Sequence, residues 1–239
     1  MHIRKILLDS GRFPTSEYYP FNLNILRETK SIEFLAPVTF FVGENGTGKS
    51  TLLKAVCRKC GIYIWEGIER PRVEYNPYEN ALHKVIDIEW TDGMVPGSFF
   101  GADIFRNFSQ LLDEWAVDDP GQLTYFGGKS LMTQSHGQSL MSYFKTRYKI
   151  KGIYFLDEPE TALSPSSQLE LLKILQRMSM QGHAQFIIAT HSPILMACPD
   201  SAIYSFDSAP IRQINYEETI HFQIYAKFML DRKRYLDEL

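Results

Sequence analysis

The chain has 239 residues, 44% hydrophobic and 22% charged, a length and balance that suit one large α/β domain and exclude a disordered or fibrous chain. A formal net charge of −3 and a pI near 6.1 exclude an overall basic field that would draw it to nucleic acid or anionic membrane, leaving room only for a local patch. No apolar run approaches the roughly 18 to 20 residues that cross a membrane, and the opening MHIRKILLDSGRF turns polar too soon for a signal peptide, so a cytoplasmic protein is expected.

From the N-terminus, IRKILL at 3–8 and SIEFL at 31–35 read as strands. VTFFVG at 38–43 is apolar on both faces, as in a central strand of a parallel sheet. Residues 10–30 are broken by Pro14 and Pro20 into loop. From Lys49 to Cys60, apolar Leu52, Leu53, Val56 and Cys60 recur at helical spacing, and Gly61 ends the helix. A mixed stretch, 66–98, holds the strand KVIDIEW, with Ile86, Ile88 and Trp90 on one face. A helix is expected at about 103–115, then the loop PGQLTYFGGKS, then QSHGQS at 134–139 opening another helix. GIYFLDEPE is a strand, SPSSQLELLKILQRMSMQG a helix capped by Ser164 with Pro165 first and Gly182 as its stop, and AQFIIATHSP a further buried strand. The C-terminal TIHFQIYAKFMLDRKRYLDEL reads as one amphipathic helix with Ile224, Phe228 and Leu236 facing inward and DRKR as a solvated face. Cys57 and Cys60 form a C-x-x-C inside a helix with no second pair, so these and Cys198 are free thiols and not a zinc site.

GENGTGKS at 43–50 matches G-x-x-x-x-G-K-[ST] between a buried strand and an amphipathic helix, the context such a match requires. Several negative oxygens must be surrounded closely, so main-chain N–H groups of Gly43, Glu44, Asn45, Gly46, Thr47 and Gly48 converge, and the helix that continues through Thr51 adds the partial positive charge of its N-terminus. A tight turn alone explains Gly46 and Gly48 but leaves Lys49 without a purpose. Lys49 is expected to reach the β- and γ-phosphates of a nucleoside triphosphate and the Ser50 hydroxyl to ligate Mg²⁺. After the apolar IYFL, Asp157 is expected to hold Mg²⁺ through a metal-bound water, and Glu158 to orient or deprotonate an attacking water. His191, at the tip of the next strand, is expected to touch the γ-phosphate.

The order GENGTGKS, SHGQS, FLDEPE, ATHSP resembles that of ABC-type ATPases, and among them the small soluble bacterial AAA/ABC-like ATPases related to the RecF and SMC group. YPFNL, FLDEPETALSP, FIIATHSPIL and YEET extend the likeness over nearly the whole chain. The resemblance implies an α/β P-loop fold, a mostly parallel central sheet flanked by helices, with an antiparallel β subdomain and a helical signature subdomain. It also implies a division into a nucleotide-binding core (1–65 and 150–239) and an insertion (66–149). It implies ATP and Mg²⁺ as ligands, and a homodimer in which the signature of one subunit binds the γ-phosphate held by the other. Ser135, Gly137 and Gln138 keep the L-S-G-G-Q pattern, while Gln134 and His136 depart from it. ETALSP is the implied interface loop, with Ser164 a contact. Gln110 and Asp103 both stand for the family's metal-sensing glutamine, and Phe13, Tyr18, Tyr19 and Phe21 for its adenine-stacking aromatic. The implied function is Mg-dependent ATP hydrolysis driving a conformational switch, with DNA or a companion protein as load in nucleic-acid maintenance or defence. The segment between Ser50 and Ser135 is too short for a long coiled coil. The alternatives are the nucleotide-binding subunit of an ABC transporter, a P-loop kinase, and a nucleotide-gated binding module with little turnover.

Overall fold

The computed structural model describes residues 1–66, 75–126, 128–133 and 136–237. Its larger sheet joins β3 (Val38–Val42), β5 (Gly97–Gly101), β6 (Gly152–Asp157), β7 (Ala184–Ala189), β8 (Ala202–Ser205) and β9 (Arg212–Ile214) in the order β5-β6-β7-β3-β8-β9. Every neighbouring pair is parallel except β8 with β9. A smaller antiparallel sheet, in the order β2-β1-β4, is built from β1 (Ile3–Leu8), β2 (Ser31–Glu33) and β4 (Ile86–Trp90). Two of its three strands thus come from the first 65 residues, and only β4 from the 66–149 stretch. The helices are α1 (Asn24–Glu28), α2 (Lys49–Lys59), α3 (Ala102–Asp118), α4 (His136–Arg147), α5 (Pro165–Met180), α6 (Pro193–Met196), α7 (Ile220–Leu230) and α8 (Arg232–Asp237). No helix among the described residues is long and apolar enough to cross a membrane.

The continuous apolar runs are explained by the two faces of the large sheet. Successive side chains of a strand point to opposite sides. Phe41, Ile153, Phe155 and Ile187 accordingly pack with Leu52 and Val56 of α2 and with Ile6 of the small sheet. Their neighbours Phe40, Tyr154, Leu156 and Phe186 pack on the other side, with Phe144 of α4 and Leu171 and Leu175 of α5. Each such side chain contributes roughly 1.5–3 kcal/mol of burial. A β-strand with only one covered face would waste half of that pattern.

Polar side chains also join the sheets: the Tyr204 hydroxyl of β8 donates to the Glu33 carbonyl of β2, and a buried amide does the same for β1. Gln185 of β7 is fully buried; its Oε1 accepts from the N–H of His2 (2.6 Å) and of Ile3 (2.8 Å), and its Nε2 donates to the carbonyl of Ile3 (3.0 Å). These main-chain groups at the start of β1 are buried and need partners.

Three features depart from the sequence reading. β5 hides in a stretch read as glycine punctuation, because close packing against β6 demands glycine. A Cβ at Gly97 would lie 2.2 Å from the Ile153 carbonyl oxygen, and one at Gly152 would lie 2.4 Å from that of Pro96. Residues 10–30, read as loop, contain the short α1. The C-terminal helix does not turn Ile224 and Leu236 inward: they are 43% and 54% exposed. The helix breaks at Asp231 (φ −147°, ψ 83°) into α7 and α8, and α7 rests on α6 and the 3-10 turn Tyr216–Glu218, away from the sheet.

Candidate functional site

Because β3, β6, β7 and β8 run parallel, the segments that follow them emerge at one edge of the sheet, where ligands bind in open α/β folds. The loop 43–48 follows β3, Asp157 ends β6 with Glu158 next, His191 follows β7, and Asp207 follows β8. The topology therefore gathers residues that are far apart in the chain.

Lys49 opens α2 and is 4% exposed; its ammonium donates to the carbonyls of Gly43 (2.7 Å) and Glu44 (2.8 Å), folding back over the loop. Burial lowers its pKa, and the carboxylates of Glu158, Asp207, Asp157 and Glu44 offset part of that loss. Thr47 Oγ1 donates to the Glu44 carbonyl (2.9 Å), and Asp207 Oδ1 accepts from the Glu44 N–H (2.8 Å). Gly43 has φ 141°, and a Cβ there would stand 2.9 Å from Asp207 Oδ1 and 3.3 Å from the Asp207 nitrogen. Asn45 and Gly46 are exposed, and the hydroxyls of Thr51 and Tyr19 are hydrogen-bonded to each other beside the loop.

Ser50 Oγ donates to Asp157 Oδ1 (2.7 Å), so the expected metal-binding hydroxyl and carboxylate are already in contact. Among the described residues no group of three or more His, Cys, Asp or Glu gathers as ligands. One hydroxyl and one carboxylate fit Mg²⁺, which takes its remaining oxygens from water and phosphate. Glu158 occupies the left-handed region (φ 45°, ψ 55°), a costly conformation for a residue with a Cβ. It is held there by its N–H donating to the Ala189 carbonyl (2.9 Å) and by Thr161 Oγ1 donating to its own carbonyl (2.8 Å). His191 Nε2 lies 3.6 Å from Glu158 Oε1, its backbone N–H donates to Glu160 Oε1 (2.5 Å), and its Nδ1 is 2.9 Å from His221 Nε2. Burial first, then Lys49 and His221, hold the His191 pKa below the ordinary value, while burial pushes that of Glu160 up.

The remaining expectations divide. Gly137 and Gln138 lie in the first turn of α4, and open space surrounds the position where a Cβ of Gly137 would stand; Gln134 and Ser135 lie outside the described residues. Ser164 Oγ accepts from the Ser167 N–H (3.3 Å) as the cap of α5. Asp103 is the second residue of α3, directly beyond β5, whose Gly101 pairs with Asp157, although its side chain lies outside the described residues; Gln110 is exposed two turns further on. Of the four aromatics, Phe21 is fully buried with Phe13 against it (4.9 Å between rings), Tyr18 packs on Tyr78, and the Tyr19 hydroxyl is hydrogen-bonded to that of Thr51 in α2. Sequence reasoning missed Asp207, Glu160 and His221. The first follows a buried strand as Asp157 does, which was a usable signal; the histidine sits in a segment that looks only amphipathic.

Residues 135–196 match the AAA ATPase domain family, and residues 21–61 match the AAA domain family. The cobalt import ATP-binding protein CbiO of Salmonella typhimurium is 26% identical over 189 residues, covering 71% of this chain and 67% of its own. The solved structure of cbiO1 from Clostridium perfringens, described as part of an ABC transporter complex, superposes with a TM-score of 0.54 at 20% identity, covering 100% of this chain and 99% of that one. The chain has the fold of the ABC-type P-loop ATPases. The manganese transport system ATP-binding protein MntB of Listeria innocua is 25% identical over 205 residues, 77% of this chain and 83% of its own. In this fold the matched span 135–196 carries α4, the β6 carboxylates and His191, and the span 21–61 carries the phosphate loop.

Proposed function

We propose that the protein binds ATP and Mg²⁺ at residues 43–51 and hydrolyses ATP as a head-to-tail homodimer, using nucleotide-driven closure to move a partner. The observation that carries this is the meeting, at one sheet edge, of the Ser50–Asp157 contact (2.7 Å) and the Glu158–His191 pair (3.6 Å) beside the Lys49 loop. A tight turn needs neither. Lys49 uses two of its three donors on the loop carbonyls and offers the third, with its charge, to the β- and γ-phosphates. Ser50 and Asp157 would hold Mg²⁺, which neutralises charge building on the phosphates. Glu158 takes the proton of a water as its oxygen attacks the γ-phosphorus; the bond from phosphorus to the β,γ-bridging oxygen breaks, and ADP leaves with that electron pair. His191 donates from Nε2 to the terminal phosphate. Tyr19, next to Thr51, is the adenine contact.

The first turn of α4, with Ser135, Gly137 and Gln138, serves the nucleotide of the second protomer. A group donated in trans is worth about 10³ to 10⁵ in rate in other P-loop enzymes. Phosphate release per milligram should therefore climb with protein concentration, and Glu158→Gln should trap an ATP-bound dimer. A specific activity independent of concentration, from a protein that stays monomeric in saturating ATP, would refute the dimer. Phosphate release without an acceptor, matching ATP loss, would exclude the kinase.

The load is read in two ways. The relatives named as cobalt import and manganese transport ATP-binding proteins support a transporter subunit with a membrane partner. The resemblance drawn from the motifs instead favours a nucleic-acid load, and Arg232, Lys233 and Arg234 of α8, read from sequence as a solvated face, are exposed and could meet one. Measuring turnover with double-stranded DNA, single-stranded DNA or lipid vesicles carrying a candidate permease separates the two.

A further inference from the structure

We propose that His221 fixes the proton of His191: the Nε2–H of His221 donates to His191 Nδ1, so that His191 carries its own proton on Nε2, facing Glu158. His221 is then a positioning residue acting through His191. The kinetic consequence rests on the ATP-hydrolysis reading; the tautomer does not.

The two nitrogens are 2.9 Å apart and the rings meet edge to face, 4.9 Å between centroids at 65°. A gap of that length holds one proton, and which ring owns it decides the other end of His191. If His191 donated from Nδ1, its Nε2 lone pair would face the Glu158 carboxylate at 3.6 Å, and the buried His221 Nδ1 would carry a hydrogen with no acceptor. Two unfavourable contacts would result, and orphaned buried N–H groups are the rarer kind. With the proton on His221 Nε2, the His191 Nε2–H points at an anion, and only an acceptor lone pair at His221 Nδ1 is left bare. Charging either ring instead is opposed by burial and by the Lys49 ammonium, both of which lower the two pKa values; Glu158 and Glu44 oppose this at His191, Glu44 and Asp207 at His221. His191 Nε2 is buried and has no hydrogen-bond partner, which suits a donor kept for a phosphate oxygen.

The frame around His221 is firm. It is the second residue of α7, whose cap Thr219 is almost fully buried, accepts from the Phe222 N–H (3.3 Å) and donates to the Tyr216 carbonyl (2.7 Å). A capping box between Asn215 and Glu218 precedes it. His191 is fixed from the other side by Glu160. The C-terminal helix, read from sequence only as an amphipathic helix, thereby becomes part of the site.

The test is ¹⁵N NMR of the imidazole nitrogens in the full chain without nucleotide, with His191 assigned by its loss in His191→Ala, beside steady-state kinetics. Wild type should show His191 protonated on Nε2; His221→Leu should mix its tautomers, and His221→Gln, whose amide N–H replaces the donor, should restore the wild-type state. Supporting partners of metal-bound imidazoles are worth about 10- to 100-fold, and a similar fall in kcat, with KM for ATP within about threefold, is expected for His221→Leu. Gln should recover most of it, and in a His191→Ala background His221→Leu should cost nothing further. A wild-type His191 protonated on Nδ1, an unchanged tautomer in His221→Leu, or an additive loss in the double variant would overturn the proposal. Should His221→Leu fail to fold, the wild-type and Gln spectra still decide. Absence of phosphate release from wild type would refute ATP hydrolysis and leave the tautomer result standing.

Discussion

Replacing Ser50 by alanine separates metal binding from phosphate binding. The Ser50 hydroxyl donates to Asp157 Oδ1 at 2.7 Å, and both residues are half-buried. A hydrogen bond to a charged group is worth about 1.5–3 kcal/mol when buried, and partial exposure brings this to about 1 kcal/mol. Free Ser50→Ala should then melt about 2–4 °C lower, the shift expected per kcal/mol in a chain of this size. Its effect on Mg–ATP should be larger, because one of two protein oxygens for the ion is gone. At about 2 kcal/mol the Kd rises roughly 30-fold. ATP without metal should bind within about threefold of wild type, since Lys49 and the loop N–H groups are untouched. Ser50→Thr keeps the hydroxyl and should behave as wild type. Titrating a fluorescent ATP analogue at stepped Mg²⁺ concentrations measures both. Equal weakening with and without Mg²⁺, or no weakening at all, would show that the hydroxyl is only a structural partner of Asp157.

Gln185→Leu leaves the N–H groups of His2 and Ile3 and the Ile3 carbonyl without partners and should cost about 3 kcal/mol or more, read as a Tm lower by roughly 6–12 °C. Gly46→Ala, with open space around its Cβ, should cost only the left-handed strain of about 1–2 kcal/mol; Gly43→Ala, which meets Asp207 at 2.9 Å, should melt clearly lower. Burial pushes the Cys60 thiol up to about 12 and that of Cys198 up to about 11, and Cys57 higher still, so at pH 8 a thiol reagent should leave the native protein unlabelled and react fully once it is denatured. His191 and His221 both sit below their ordinary value of 6.5, so the unfolded chain binds protons first as pH falls. Their stability contribution is complete above about pH 6.5 and is lost as pH drops through the folded values. Tm should decline from pH 7 to pH 5.5, less steeply in His221→Gln; an identical slope would assign the decline to other groups.

The strands that carry the site were legible because burial on both faces leaves an unbroken apolar run. VTFFV, IYFL and FIIA each end where a charged or polar motif begins, and the parallel sheet turns those ends into one edge. β5 was not legible, since the contacts that place it remove side chains at Gly97 and Gly152 instead of adding apolar ones. Ser50 and Asp157 are each assigned from sequence to one metal ion, and they do stand together, although their direct hydrogen bond is not part of that reading. The His191–His221 contact was not legible, because it depends on where the chain returns after β9, and no local pattern encodes that. The outward turn of Ile224 and Leu236 shows the same limit: helical periodicity specifies an apolar stripe, and the tertiary fold alone specifies which way it looks.

The buried amide of Gln185 has a mechanical consequence. The strand it belongs to, β7, runs directly into His191, while the amide itself rivets the first residues of β1 to that strand. The small antiparallel ribbon cannot slide along the large sheet without dragging on this rivet, so a tilt of the ribbon is felt as tension on the strand leading to the histidine.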